Sequence, residues 1–379
     1  MSGRSTPREL GYSFPPEWGP QAGTWISWPR PEGISFPDKY HTVPGVLAEI
    51  VRQIARRQPV HINVPNGNWE HIVRETLRSF DVPLGNVHTH HIPTNECWTR
   101  DHGPAFVTRV GAGAGGAAAG AVAAGAVGGA GAAGTAAGAG SAELAVVDFG
   151  FNAWGGKYPP YDADDAVPRR IGQKLGVPVF EEATVVEGGG IEVNGEGTLL
   201  TTESCLLNPN RNPDLERVDI ERVLLDFYGQ RQVIWLPGGD LAGDDTDGHV
   251  DNIARFVDVR TLLVAYSADP ADPNHGELAK NLEAARNARD ADGRAFEVVE
   301  LPMPAPMEHD GQPLPASYAN FLFVNDAVLV PTYRDAQDER VLGLFRELCP
   351  GREVVGIDCT ELIWGLGAIH CLTQQQPAV

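Results

Sequence analysis

The sequence predicts an α/β fold built from repeated units set around one central site, and three observations predict it. Helical and strand periodicities alternate along the chain. A weak internal repeat brings back a polar cluster, an apolar strand, a turn and a second apolar strand at five points. Glycine (44) and proline (30) together fill about a fifth of the 379 residues, which suits many turns and short elements and argues against a helical bundle.

In chain order, residues 44–58 place Val46, Leu47, Ile50, Val51 and Ile54 at helical spacing. Val60–Val64 follows as a strand, ended by the turn Pro65-Asn66-Gly67. Residues 69–80 carry a second amphipathic helix through Ile72, Val73, Leu77 and Phe80. A helix over Asp214–Tyr228 is expected to bury Leu215, Val218, Ile220, Val223 and Leu224. Glu277–Asp290 and Gln337–Leu348 read as helices, and Phe296–Leu301 as a strand leading into a proline-rich loop, 302–315.

The repeats begin near Asp101, Glu187, His249, Tyr318 and Cys371. Their spacings are 86, 62, 69 and 53 residues, and the first shrinks to 56 without the 30 residues 111–140. That stretch is all alanine or glycine except Val122, Val127 and Thr135, so it reads as a dispensable low-complexity insertion. A membrane helix needs about 20 strongly apolar residues, which it lacks. The last repeat ends before a second strand. Equivalent strand ends arranged around an axis would gather the polar clusters at one place.

Charge narrows the chemistry. With 29 Lys and Arg against 50 Asp and Glu, the formal charge is −21. Such a surface repels phosphate backbones and attracts cations, so nucleic acid is disfavoured and a positively charged substrate favoured. The five cysteines, Cys97, Cys205, Cys349, Cys359 and Cys371, are odd in number, scattered and without a CxxC pair. A disulfide framework is therefore not expected, and a reducing, cytoplasmic setting is. The N-terminal residues carry no apolar signal-peptide core.

Three segments can do chemistry. In His249-Val250-Asp251, a strand would point imidazole and carboxylate to one face. The aspartates just before it, Asp240, Asp244, Asp245 and Asp247, repel one another unless a cation is present; calcium and an organic cation both fit, although the spacing is not that of an EF-hand. In Trp98-Thr-Arg-Asp101-His-Gly-Pro104, Asp101 either pairs with Arg100 at the surface or, in a shaped loop, serves with Asp251 as a bidentate acceptor for guanidinium N–H groups. In Ile369-His370-Cys371, the thiol is either a small buried hydrophobe or a nucleophile whose thiolate a nearby cation supports. His88, His90, His91 and His102 lack a matching second ligand cluster, so a metal is not expected, and no nucleotide-binding glycine motif is present.

In order along the chain, WTRDHGPAFV, EGGGIEVNGEGTLLTTESCLLNPNRNP, WLPGGDLAGDDTDGHVDN, SYANFLFVN and IHCLTQQQP, preceded by PPEWGPQAGTWISWP, resemble the signature blocks of the agmatine deiminase family, a branch of the peptidyl-arginine-deiminase-like, guanidine-modifying enzymes. The resemblance implies one domain over residues 1–379, folded as a five-bladed α/β propeller (pentein) with the site on a pseudo-fivefold axis. It implies hydrolysis of agmatine to N-carbamoylputrescine and ammonia, a step toward putrescine, without a cofactor. By match, Cys371 is the nucleophile, Asp101 and Asp251 grip the guanidinium, His249 is the acid and base, and Glu187 orients His249. Trp98 packs along the methylene chain, and Asp245 meets the distal amine. A deiminase or amidinotransferase acting on another guanidino compound is the alternative. The expected partner is a small cationic guanidino substrate, with no nucleic acid or membrane; a homodimer is left open. The chain departs from the family pattern at Leu366 and Ala368 in GLGAIHC, at Asp245 in DDTDGH, at Gly190-Ile191-Glu192 in place of SIH, and at Gln21 in place of a histidine.

Overall fold

The computed structural model describes residues 5–109, 142–239 and 241–379. The low-complexity segment 111–140 and Asp240 lie outside the described residues.

Strands β1 (Gln21–Ser27), β2 (Val60–Val64) and β3 (Val87–His91) form a parallel run joined by helices Val43–Ala55 and Gly67–Ser79. The first helix forms where Pro44 sits in its opening turn and Leu47, Ile50, Val51 and Ile54 recur on one buried face. The second is capped by the Asn66 side chain, which accepts from the amides of Asn68 and Trp69.

Each of the next units repeats one pattern: two antiparallel strands, then a helical crossover to a third, parallel strand. The first holds β4 (Ala105–Arg109), β5 (Glu143–Gly150) and β6 (Val179–Val185), crossed by helix Val167–Leu175. The second holds β7 (Glu192–Val193), β8 (Thr198–Thr202) and β9 (Gln232–Leu236), crossed by helix Arg217–Phe227, which a Glu216–Asp219 capping box opens. The third holds β10 (Ala254–Phe256), β11 (Thr261–Tyr266) and β12 (Glu297–Pro302), crossed by helix His275–Asn287. A hairpin of β13 (Met307–His309) and β14 (Gln312–Leu314) stands apart. The fourth unit holds β15 (Leu322–Val324), β16 (Ala327–Thr332) and β17 (Glu353–Asp358), crossed by helix Asp338–Leu348. Strand β18 (Thr373–Pro377) then pairs antiparallel with β1. The missing second strand of the last repeat is therefore the chain's own first strand, and the fifth sheet has the same antiparallel-then-parallel order as the others.

Three local expectations change. His249-Val250-Asp251 is not a strand: His249 caps a 3₁₀ turn over Val250–Asn252, and the strand starts only at Ala254. The helix expected from Asp214 begins at Arg217, and Val218 is 65% exposed, because the first turn faces solvent while Ile220 and Leu224 are buried. The proline-rich 302–315 segment contains the β13–β14 hairpin, since Asp310-Gly311, both at positive φ, make its turn. No helix among the described residues is long and apolar enough to cross a membrane.

Candidate active site

The residues singled out at the repeat starts converge. Asp101, Glu187, His249 with Asp251, Asn320 and Cys371 each lie just before the first strand of their sheet. All but Asn320 were legible as candidates.

Asp101 is 5% exposed and sits in a short helical turn, Thr99–His102. The Trp154 indole N–H donates to its Oδ2 at 3.0 Å and the Gly189 amide to its Oδ1 at 3.0 Å. Burial, with Asp251 and Glu187 adding, pushes its carboxyl up to about 6 against the pull of His249. Gly189 cannot be replaced by a larger residue here. A Cβ would lie 2.5 Å from His249 Nδ1, 2.6 Å from Asp101 Oδ1 and 3.2 Å from Asp251 Oδ2, so the glycine run lets the backbone enter the middle of the cluster.

His249 is fully buried between two carboxylates, with Nδ1 3.6 Å from Asp101 Oδ1 and Nε2 3.6 Å from Glu187 Oε2. Burial disfavours its proton, yet Asp101, Cys205 and Glu187 outweigh burial and hold the imidazole well above its ordinary range. Glu187 is fixed from behind by Arg211 Nε at 2.8 Å. Burial would raise its carboxyl, but His249 and Arg211 keep it below the usual range. Glu187, Cys205 and His249 stand close enough to share a cation, but the Arg211 guanidinium already supplies positive charge there.

Asp251 is fully buried; its Oδ2 meets His370 Nδ1 at 2.8 Å and lies 3.6 Å from Cys371 Sγ, while its Oδ1 has no hydrogen-bond partner. Against burial, His370 and His249 hold its carboxyl below the ordinary value. Asn320 Nδ2 donates to Cys371 Sγ at 3.0 Å, and its Oδ1 accepts from the amides of His370 (3.0 Å) and Cys371 (3.3 Å). Burial, with Asp251 and Asp101 beside it, pushes the Cys371 thiol up, well above its ordinary value.

Cys371 and Asp101 open onto a cleft of about 490 Å³, also lined by Trp98, Trp154, Tyr158, Asp245, Trp364 and Leu366. The Trp98 indole donates to Ser35 Oγ at 2.9 Å, and its ring is so close to Gly367 that a Cβ there would lie 2.6 Å from it. Leu366 occupies the left-handed region, φ 69°, a conformation that favours glycine. The Tyr158 hydroxyl donates to Asp245 Oδ2 at 2.6 Å, and burial raises the Asp245 carboxyl. The acidic loop is less bare than its sequence: Asp247 pairs with Lys157 Nζ (2.9 Å) and with Arg211, and Asp244 accepts from Thr246 and Gly248 within its own turn. Among the loop's described aspartates, only Asp245 lines the cleft, and no Lys or Arg does.

Sequence reasoning missed Trp154, Tyr158, Asn320 and the role of His370. Asn320 lay within a recognised block, SYANFLFVN; Trp154 and Tyr158 carried no local signal. The departures find places as well. Glu192 accepts from Arg255 Nε at 2.6 Å, and the Gln21 amide donates to the carbonyls of Glu17 and Phe323, away from the cleft.

A family model for the Porphyromonas-type peptidyl-arginine deiminases matches residues 13–377. An agmatine deiminase of Pseudomonas fluorescens is 37% identical over 99% of this chain and 98% of its own length, and one of Pseudomonas putida is 36% identical with the same coverage. The solved agmatine deiminase of Enterococcus faecalis superposes with a TM-score of 0.85 at 30% identity, over 100% of this chain and 98% of that one. A substrate-bound C. jejuni agmatine deiminase gives 0.80 at 29%, covering 96% of both chains.

Proposed function

Because the chain belongs to the Porphyromonas-type peptidyl-arginine deiminase family, we propose that it is an agmatine deiminase, hydrolysing the guanidinium of agmatine to N-carbamoylputrescine and ammonia. The observation that carries this reading is the cleft: the Cys371 thiol and the Asp101 carboxylate line it, Asp251 (3.6 Å from the sulfur) and His249 (3.6 Å from Asp101) are buried behind them, its walls are aromatic, and Asp245 lines it with no described Lys or Arg.

In this mechanism Asp101 and the free oxygen of Asp251 accept guanidinium N–H groups, and the arriving cation lowers the thiol's affinity for its proton, which leaves to solvent. The Cys371 thiolate attacks the guanidinium carbon, and His249 gives its proton to the departing ammonia. The same imidazole, now neutral, takes a proton from water, whose oxygen attacks the thiouronium carbon. Cleavage of the C–S bond, with the hydroxyl proton of the adduct passing to the departing sulfur, releases the urea product and restores the Cys371 thiol, while His249 is left protonated for the next cycle. Glu187 holds His249 cationic before the first transfer, and Trp98 packs along the methylene chain. The five sheets of like strand order serve as five blades around a pseudo-fivefold axis, in one domain, with this site at the centre.

The test is kcat/KM for agmatine, arginine and a longer guanidino-amine in one buffer. Agmatine is expected to exceed arginine by about a thousandfold, since the α-carboxylate of arginine would be buried beside the Asp245 carboxyl where no described Lys or Arg lines the cleft and the nearby Lys157 ammonium is already tied to the Asp245 carbonyl and Asp247, at a cost of several kcal/mol and about 1.4 kcal/mol per factor of ten. Equal turnover of arginine would overturn the assignment, and a faster homologue would move it to another guanidino-amine.

A further inference from the structure

Next to the nucleophile lies an ionic network that the proposed chemistry does not use. His370 is 1% exposed, with Nδ1 2.8 Å from Asp251 Oδ2 and Nε2 2.8 Å from Glu17 Oε2. Glu17 is itself fixed: its Oε1 accepts the Phe323 amide at 2.7 Å, and its Oε2 faces Arg255 Nη2 at 3.1 Å and Arg100 Nη2 at 3.3 Å. Arg255 is bound in turn by Glu192 Oε2 at 2.6 Å and lies over the Phe321 ring at 4.6 Å. Arg100 reaches Gln375 Oε1 at 2.7 Å and the His370 carbonyl at 3.3 Å.

A neutral imidazole has one N–H, and would set its other nitrogen's lone pair against a carboxylate oxygen at 2.8 Å. The imidazolium donates at both contacts, and charge-assisted hydrogen bonds of this length are the strong ones. Charge counting agrees. Burial pushes the Glu192 carboxyl up to about 7 against Arg255 at 2.6 Å; when it is ionised, Glu17, Glu192 and Asp251 bring three negative charges against two from Arg100 and Arg255, and a cationic His370 then makes the buried group neutral. Burial, Arg100 and Arg255 pull the imidazole below its ordinary range against Glu17 and Asp251, so the case for the cation rests on the two 2.8 Å contacts, where each ring nitrogen faces a carboxylate oxygen. Glu17 is held far below the usual carboxylate range, because Arg255 and His370 outweigh its burial, so it does not supply the proton instead.

We propose that His370, clamped by Glu17, is a positioning residue that keeps Asp251 ionised with one oxygen tied to the ring and the other free for the substrate guanidinium. It rests on the reading of Asp251 as a guanidinium-gripping group. The terminal torsion of an aspartate is soft, so a carboxylate without such a tie would not hold one oxygen in place.

The experiment is the pH profile of agmatine kcat/KM for His370→Asn, Glu17→Gln with His370→Asn, and the wild type. Asparagine keeps an N–H donor near the place of Nδ1 and removes the charge. Asp251 then loses its cation, and the acid limb is expected to move up by about one pH unit, a loss of about tenfold on that limb with a plateau within about threefold. Adding Glu17→Gln removes the excess negative charge and is expected to return most of the shift. An unmoved acid limb, or a double variant worse than the single one, would overturn the proposal, because a structural role lowers activity at every pH and accumulates. If the variants do not fold, ¹⁵N-histidine NMR of the wild type decides: both His370 ring nitrogens should carry protons at about pH 7–8, and a singly protonated ring would sink the idea. The spectrum needs no turnover. A wild type inert toward agmatine would remove the functional reading and leave the charge state of His370 still measured.

Discussion

Oδ2 of Asp251 lies 3.6 Å from the sulfur of Cys371. In the free protein burial, with that carboxylate adding, raises the thiol and keeps the sulfur protonated. In the proposed complex the same carboxylate faces a guanidinium, and the field at the sulfur changes sign. In that proposal Cys371 is activated by the cation it attacks.

Cys371→Ser is expected to abolish agmatine turnover with the fold intact, because a serine hydroxyl stays protonated near neutral pH. Iodoacetamide should label Cys371 of the free wild type slowly at neutral pH and faster on the alkaline side of the ordinary thiol range. Activity above a few per cent in the serine variant would remove Cys371 from the mechanism.

His249→Ala and Asp251→Ala should each lower kcat/KM by about 10²–10⁴, the scale of general acid–base help and of a lost charge-assisted contact. Steady-state kinetics on purified variants with unchanged circular dichroism checks this. Near wild-type activity in either would mean that it does not touch the reacting groups.

Asp245→Asn should raise KM for agmatine about tenfold or more while changing kcat far less. Asp245 lines the cleft and takes the Tyr158 hydroxyl, away from the thiol. A KM unchanged by this substitution would place the distal amine elsewhere.

Asp164 offers a pH test outside the chemistry. It is buried, accepts from the Asn95 amide at 2.7 Å, and burial pushes its carboxyl from 3.8 up to about 8. A carboxyl whose folded value is raised binds its proton more tightly in the folded state. Its contribution is therefore complete below the unfolded value of 3.8 and lost as pH rises through about 8. Denaturant melts of the wild type should weaken across that window, and Asp164→Asn, which keeps the accepting oxygen, should flatten the dependence. Parallel pH curves for the two proteins would show that Asp164 titrates normally.

The sequence alone determined the repeat and the groups at its starts. Asp101, Glu187, His249 and Asp251 were readable because each lies in a short polar block just before an apolar strand, and Cys371 because it stands beside His370 ahead of the polar Thr-Gln-Gln-Gln run; such blocks are local. What surrounds those groups was not local. The pairing of β18 with β1 joins residues 373–377 to 21–27, and no periodicity within either segment reports on the other. His249 and Asp251 meet the site from a 3₁₀ turn, because Gly189 and Asp101 pack against that turn from other units. The counter-ions of Asp247, Lys157 and Arg211, come from separate segments, as does the Trp154 indole on Asp101. Burial and neighbours then set the charge states: the same carboxyl chemistry holds Asp101 up near 6 and Asp251 below its ordinary value, because only the folded chain places His370 against Asp251 and buries Asp101 beside the like charges of Asp251 and Glu187.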